Sequence, residues 1–378
     1  MAVSVASKPT QPSETTGGAQ PAGGGGYKDV TATSYNEDLE LKGGNGFSAA
    51  KNPLYLPTWN KSDFYPPLEP FKHEDVGKRA DPSLPNLLPP EAAVTNLTPF
   101  IGTEVQGIQL SQLTDKGKDE LALFVAQRKA VVFRNQDLGK LSPGEIADFA
   151  GYFGRHHIHP TGATPAGHPE VLVVFRGAGD KPSETVLKDR LSSVAWHSDV
   201  TYEEQPPGTT FLAMLEKPEV GGDTPFVDAA QAYQRLSPAF QKRLHGLRAV
   251  HSGIEQVEAT VKRGIVKRRD AVATEHPIVR THPVTGEKAL FVNPQFTRYI
   301  VGLKQEESEA ILQFLYQHIA AGADFQTRVR WEEDSVVVWD NRVTLHTALV
   351  DWSTGSRRHL IRLTPQAERP FETPFDSQ

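Results

Sequence analysis

335-SVVVWDNRVTLH-346 is a run of β-branched and aromatic residues, interrupted by Asp-Asn-Arg and closed by a histidine. Such side chains suit a pleated, half-buried surface, so the segment reads as a strand that delivers His346 just past its end. Runs of the same character recur at 129-KAVVFRN-135, 170-EVLVVFRG-177, 209-TTFLAML-215, 289-ALFVN-293, 325-FQTRVRW-331 and 358-RHLIRLT-364. Helical periodicity is confined to a few stretches, chiefly Asp115 to Arg128, Ser142 to Phe153, Pro238 to Leu247 and Gln305 to His318. Many short strands without regular strand–helix alternation predict a mainly β fold with flanking helices (α+β), a sandwich or jelly roll in place of a doubly wound sheet. No G-x-G-x-x-G, Walker loop or internal repeat contradicts this.

The chain has 378 residues, 38% of them hydrophobic, with a formal net charge of -6. That balance argues against a surface built to bind nucleic acid. With no cysteine there is no disulfide, thiolate metal site or cysteine nucleophile, so a metal must rest on the 13 histidines or on carboxylates. The N-terminus carries no basic region ahead of an apolar core, and no apolar run reaches the roughly 18 residues that cross a membrane. A cytoplasmic protein without a membrane partner is therefore expected. Residues 1–26, ending in GGAQPAGGGG, read as a disordered tail, and 27–92 as an extended Pro-rich arm. The arm is expected to cover a surface or a partner subunit of a homo-oligomer, leaving 93–378 as the folded domain.

The segment richest in chemistry is 196-WHSDVTYEEQPPG-208. On an extended strand, side chains two apart share a face, so His197 and Asp199 can offer an imidazole and a carboxylate to one ion. His346 would complete two His and one carboxylate, the facial set of non-haem Fe(II) oxygenases, which leaves positions open for a cosubstrate and O2. A second His-x-Asp, His73 and Asp75, lies in the Pro-rich arm with no strand around it and reads as a chance copy. Period-2 alternation in 357-RRHLIRLTP-365 puts Arg358, Leu360, Arg362 and Thr364 on one face. Arginines pointing into a barrel require anionic partners, such as a dicarboxylate and an anionic substrate. A basic edge strand in water is the alternative.

Together, 196-WHSDVTYEEQPPG-208, 221-GGDTPFVD-228, 280-RTHPVTGEKALFVN-293, 339-WDNRVTLH-346 and 357-RRHLIR-362 resemble the taurine dioxygenase (TauD/TfdA) family over about residues 96 to 370. The resemblance implies a double-stranded β-helix core of cupin-like, jelly-roll form and an Fe(II)/2-oxoglutarate-dependent dioxygenase. Such an enzyme oxidises a C–H bond of a small anionic organic substrate, a sulfonate such as taurine or an amino or carboxylic acid, with O2 consumed and succinate and CO2 released. By motif, His197, Asp199 and His346 would hold the iron, and Thr224 and Arg358 the distal carboxylate of 2-oxoglutarate. Arg362 and His159 would meet the substrate anion, with Phe296 a pocket wall. Family positions occupied by a pocket Tyr and a substrate-binding Asn carry Gly162 and Ser193 here, which implies a wider, differently hydrogen-bonded pocket. An extra residue near Ser353 to Ser356 separates His346 from the arginine pair.

Desaturation or ring closure of an amino-acid-like substrate in secondary metabolism remains open under the same chemistry. So do a zinc hydrolase on the same triad and a cupin-like protein without turnover. His156 and His157 read as part of a solvated or substrate-lining loop. Trp196, Trp339 and Trp352 read as core packing. Asp340 with Arg342 suggests a structural ion pair, and 262-KRGIVKRRD-270 a mobile loop, a lid near the site, with a charge-solvated surface as the alternative.

Overall fold

A computed structural model describes residues 50–375 except 61, 181, 189, 353 and 354. The tail at 1–26, the first part of the arm, and Ser353 and Thr354 of the inserted segment lie outside the described residues. In chain order the strands begin with β1 (Ala93–Asn96), β2 (Thr103–Gln106), β3 (Ala130–Phe133), β4 (Leu172–Arg176), β5 (Thr209–Glu216), β6 (Thr224–Asp228), β7 (Arg248–Ser252) and β8 (Ala273–Pro277). They continue with β9 (Val279–Thr281), β10 (Lys288–Leu290), β11 (Thr297–Ile300), β12 (Gln326–Val329), β13 (Val336–Asp340), β14 (Thr344–His346) and β15 (Arg358–Leu363). The helices are α1 (Asp115–Arg128), α2 (Pro143–Gly151), α3 (Pro182–Leu187), α4 (Ala229–Gln234), α5 (Pro238–Leu244), α6 (Ile254–Val261) and α7 (Gln305–Ala321).

Among the described residues a seven-stranded sheet runs β1-β2-β3-β13-β5-β15-β4, and a smaller sheet runs β12-β6-β14. The layer between them is filled by Leu212, Phe226, Val329, Trp331, Val337, Trp339 and Leu360. On the outer face of the large sheet, Val336, Val338, Ile361 and Leu363 pack with Leu121 and Val125 of α1 and Ile146 of α2. Strand β13 therefore alternates its apolar residues between two buried faces, which is why it reads as a continuous apolar run. Behind the small sheet, Val227 and Leu345 pack with helices α4, α5 and α7. This is the double-stranded β-helix, with helices covering both outer faces.

Local signals set several boundaries. The Thr114 hydroxyl accepts the Gly117 amide and starts α1, and Ser142 with Glu145 forms a capping box ahead of Pro143. The described part of the arm lies against the domain. Tyr55 is buried, its carbonyl accepts from His359 at 2.9 Å, and Thr58 bridges Thr164. Asp75, half of the second His-x-Asp pair, caps a turn through the Gly77 amide and accepts an ion pair from Arg342. That pair thus serves the junction of arm and domain. Arg342 also grips Asp340 at 2.8 and 2.6 Å, the structural ion pair expected there.

The stretch at 262–270 differs from expectation. Arg268 and Arg269 are each only 1% exposed. Arg269 pairs with Glu203, which also meets His157 at 2.9 Å. The backbone amide of Arg268 donates to the Pro160 carbonyl at 2.6 Å, and the Arg269 side chain to the Ile158 carbonyl at 3.2 Å. Arg268 and Arg269 of this basic stretch are therefore a buried clamp on 157–160, because Glu203 supplies Arg269 with the countercharge that sequence proximity hides.

Candidate metal and cosubstrate site

His346 does not ride past the end of a single long strand. Strand β13 stops at Asp340, a turn follows, and β14 crosses to the small sheet, pairing His346 with Phe226. His197 and Asp199 are not on a strand either. His197 forms an isolated bridge with His346, giving and receiving backbone hydrogen bonds at 3.0 and 2.8 Å. Asp199 follows on a turn held by Asn341, whose side-chain oxygen accepts the Asp199 amide at 2.7 Å and whose amide nitrogen donates to the Asp199 carbonyl at 3.0 Å. Sequence reasoning passed over Asn341, although it sits inside the WDN motif.

The geometry brings the three proposed ligands together. One donor atom from each of His197, Asp199 and His346 lies within 4.8 Å of the others, and all three residues are buried. The His197 Nδ1 points at the Ala195 carbonyl at 2.9 Å, which places the ring proton there and leaves Nε2 as an acceptor facing Asp199 at 3.7 Å. His346 Nε2 lies 3.9 Å from the same carboxylate oxygen. Burial, with His197 alongside, pushes the His346 imidazole down to about 3, so it is neutral and able to ligate at neutral pH. Burial pushes the Asp199 carboxyl up, but Arg362, His346 and His197 more than offset it and keep the group ionised. Asp199 Oδ2 is buried with no hydrogen-bond partner. Two imidazoles and an ionised carboxylate with an oxygen to spare fit a divalent ion with open positions.

All nine singled-out residues, His159, Ser193, His197, Asp199, Thr224, Phe296, His346, Arg358 and Arg362, line one cavity of about 140 Å³. Arg358 and Arg362 face it together with Leu360, while His359 and Ile361 point the other way, so the strand alternation holds. Arg358 is 4% exposed, donates among the described residues to the Gly222 carbonyl, at 3.0 and 3.2 Å, and lies over the Trp352 ring. Burial, with Arg176 on the neighbouring strand, pushes it down to about 10, still cationic at neutral pH. Thr224 accepts a hydrogen bond from Trp331 Nε1 at 3.0 Å, which leaves its hydroxyl proton free to donate into the cavity. Arg362 Nη1 donates to Asp199 Oδ1 at 2.6 Å.

His159 is held from behind. Its Nδ1 accepts the amides of Thr161 and Gly162 at 3.2 and 2.9 Å, so the ring proton sits on Nε2. Burial and Arg362 hold this imidazole well below its usual range. The neighbouring His157 does not reach the metal group and is spent on Glu203. A Cβ at Gly162 would lie 2.0 Å from Leu172 Cδ1, so Leu172 from β4 occupies the space beside the glycine. Arg176, Gln256 and Thr260 also line the cavity without having been singled out.

Comparison with known proteins fits this geometry. The family model described as taurine catabolism dioxygenase TauD, TfdA family, matches residues 93–364. The chain is 45% identical over 327 residues to an alpha-ketoglutarate-dependent sulfonate dioxygenase of Saccharomyces cerevisiae, covering 85% of this chain and 79% of that one. It is 31% identical to an alpha-ketoglutarate-dependent sulfate ester dioxygenase of Pseudomonas putida, over 68% of this chain and 84% of the other. A crystal structure of a taurine dioxygenase from Burkholderia xenovorans superposes with a TM-score of 0.60 at 31% identity, covering 74% of this chain and 93% of that one. Among the described residues no helix is long and apolar enough to cross a membrane. The chain belongs to the TauD/TfdA family and is a dioxygenase dependent on Fe(II), 2-oxoglutarate and O2.

Proposed function

We propose that the chain oxidises a C–H bond of a small organic anion, a sulfonate or sulfate ester, whose charged group is held by Arg362 and His159. The observation that carries this reading is Arg362, a largely buried guanidinium on the cavity face of β15 whose Nε has no hydrogen-bond partner among the described residues. A planar guanidinium with donors to spare matches the oxygens of a sulfonate or sulfate. Relatives bearing sulfonate and sulfate ester names add support.

In this reading His197, Asp199 and His346 hold the iron, and Arg358 with the Thr224 hydroxyl holds the distal carboxylate of the cosubstrate. When bound, iron, 2-oxoglutarate and O2 supply oxidative decarboxylation to succinate and CO2, coupled to removal of hydrogen from the substrate. The protein positions and shields. Arg358 is already desolvated and held to a backbone carbonyl, so binding a carboxylate costs little reorganisation. The His159 Nε2 proton is available to donate to an anion, since Nδ1 is taken by two amides. Ser193 lies at a half-buried edge of the cavity, and Leu172, Val174, Leu360 and Phe296 exclude water from the reacting region.

The test is succinate release from 2-oxoglutarate with C2 to C6 alkanesulfonates, alkyl sulfates and the matching carboxylates. Turnover of the sulfur anions above the carboxylates is expected. Preference for carboxylates, or for uncharged alcohols, would reject the proposed substrate class.

A further inference from the structure

One wall of the cavity has no role in the scheme above. Helix α6 presents Gln256 and Thr260, one turn apart, to the cavity. The Thr260 hydroxyl is spent, donating to the Gln256 carbonyl at 2.7 Å and accepting from Arg263 at 3.4 Å. The Gln256 carboxamide is not. The residue is 9% exposed, and its Oε1 is buried with no hydrogen-bond partner among the described residues. Burying a polar atom unsatisfied is destabilising, whereas a leucine of similar size would line the wall at no such cost. The next residue, Val257, is an apolar packing position of that kind.

We propose that Gln256 is a specificity-determining residue whose carboxamide hydrogen-bonds a polar group of the prime substrate other than its anion. The amide carries both an acceptor and two donors and can turn over in place, so a hydroxyl, an amine or an amide would satisfy it. The substrate then carries, besides its anion, a separate hydrogen-bonding group in place of a bare alkyl tail. This rests on the reading that Arg362 and His159 take the anion, and refines it.

The experiment compares the full-length enzyme with Q256L, loaded with Fe(II) and 2-oxoglutarate, on two matched pairs. These are butane-1-sulfonate against 4-hydroxybutane-1-sulfonate, and pentanoate against 5-hydroxypentanoate. The native enzyme is expected to favour the hydroxylated member by about 10-fold or more in kcat/KM, and Q256L to lose or invert that ratio. Without substrate, Q256L should melt at the same or a higher temperature, because an orphaned amide has been removed. A ratio that Q256L leaves unchanged, or no preference in the native enzyme, overturns the proposal. So does a substrate-free melting temperature several degrees lower in Q256L, which would show that the amide holds the fold. Turnover of the carboxylate pair alone rejects the sulfonate reading while the Gln256 ratio still decides this one. Turnover of neither pair rejects the anion reading and this proposal with it.

Discussion

His197 and His346 exchange both of their backbone hydrogen bonds, at 3.0 and 2.8 Å, across two segments far apart in the chain. The side chains of such a pair leave the same side of the bridge, and their rings lie 4.4 Å apart between centroids. The imidazole pair is thus positioned by main-chain pairing between a loop and β14. Phe226 stacks on His346 at 5.6 Å and Trp339 lies 5.0 Å away, restricting its ring from the core side. Asp199 lacks such a bridge: Asn341 holds its main chain and Arg362 meets its carboxylate.

Asn341→Ala should therefore weaken Fe(II) binding by about 10- to 100-fold, the usual effect of removing a group that orients a ligand. Asn341→Asp keeps the acceptor for the Asp199 amide and loses the donor to its carbonyl, so it should fall between. Anaerobic titration with Fe(II), or with Co(II) followed by its visible spectrum, measures both. Native affinity in Asn341→Ala would show that Asp199 is held some other way.

The two cavity arginines should separate by ligand. Arg358→Ala removes the only buried cation assigned to the distal carboxylate and is expected to weaken 2-oxoglutarate by about 100-fold. The readout is the weak visible charge-transfer band that a 2-oxoacid gives on Fe(II). Arg362→Ala should instead raise KM for the sulfonate, with a far smaller change in KM for 2-oxoglutarate. If both variants lose the same ligand to the same degree, the assignment of roles along β15 is mistaken.

Arg269→Ala should destabilise the fold by about 3–5 kcal/mol, because it leaves Glu203 charged and buried beside His157. Removing both charges in Arg269→Met with Glu203→Gln should recover most of that loss. Urea unfolding monitored by tryptophan fluorescence gives the comparison. A stability cost under about 1 kcal/mol for the single variant is the value expected of a solvated surface pair and would contradict burial of the clamp.

Asp228 gives a pH signature. It caps α4 through the Ala230 and Gln231 amides at 2.8 and 3.0 Å, but its Oδ2 is buried without a hydrogen-bond partner. Burial pushes its carboxyl up to about 6, with Lys129 only partly opposing. An acid with a raised folded pKa binds its proton more tightly when folded. Its contribution is therefore most favourable below about 4 and is lost as pH rises to about 6, a cost on the order of 3 kcal/mol at neutral pH. Asp228→Asn keeps the cap without the charge. Its melting temperature should match the native protein near pH 4 and exceed it by several degrees at pH 7.5; equal melting temperatures at both values would argue against the buried charge.

Features legible in the sequence are those encoded by near neighbours. Alternation along 357–365 fixed which arginines share a face, because the pleat repeats every two residues. Capping at Thr114 and Ser142 marks helices α1 and α2 almost to the residue. The ligand residues could be named because His-x-Asp and the distal His fall within motifs recognisable by order alone.

Only the tertiary structure decided how they meet. The bridge between His197 and His346, the grip of Asn341 on Asp199 and the countercharge that buries Arg269 all join residues distant along the chain, and such contacts leave no periodic trace. Leu172 filling the space beside Gly162, and Gln256 left without a partner, are of the same kind. Whether a polar atom is satisfied depends on what packs against it, and that is settled when the sheets close.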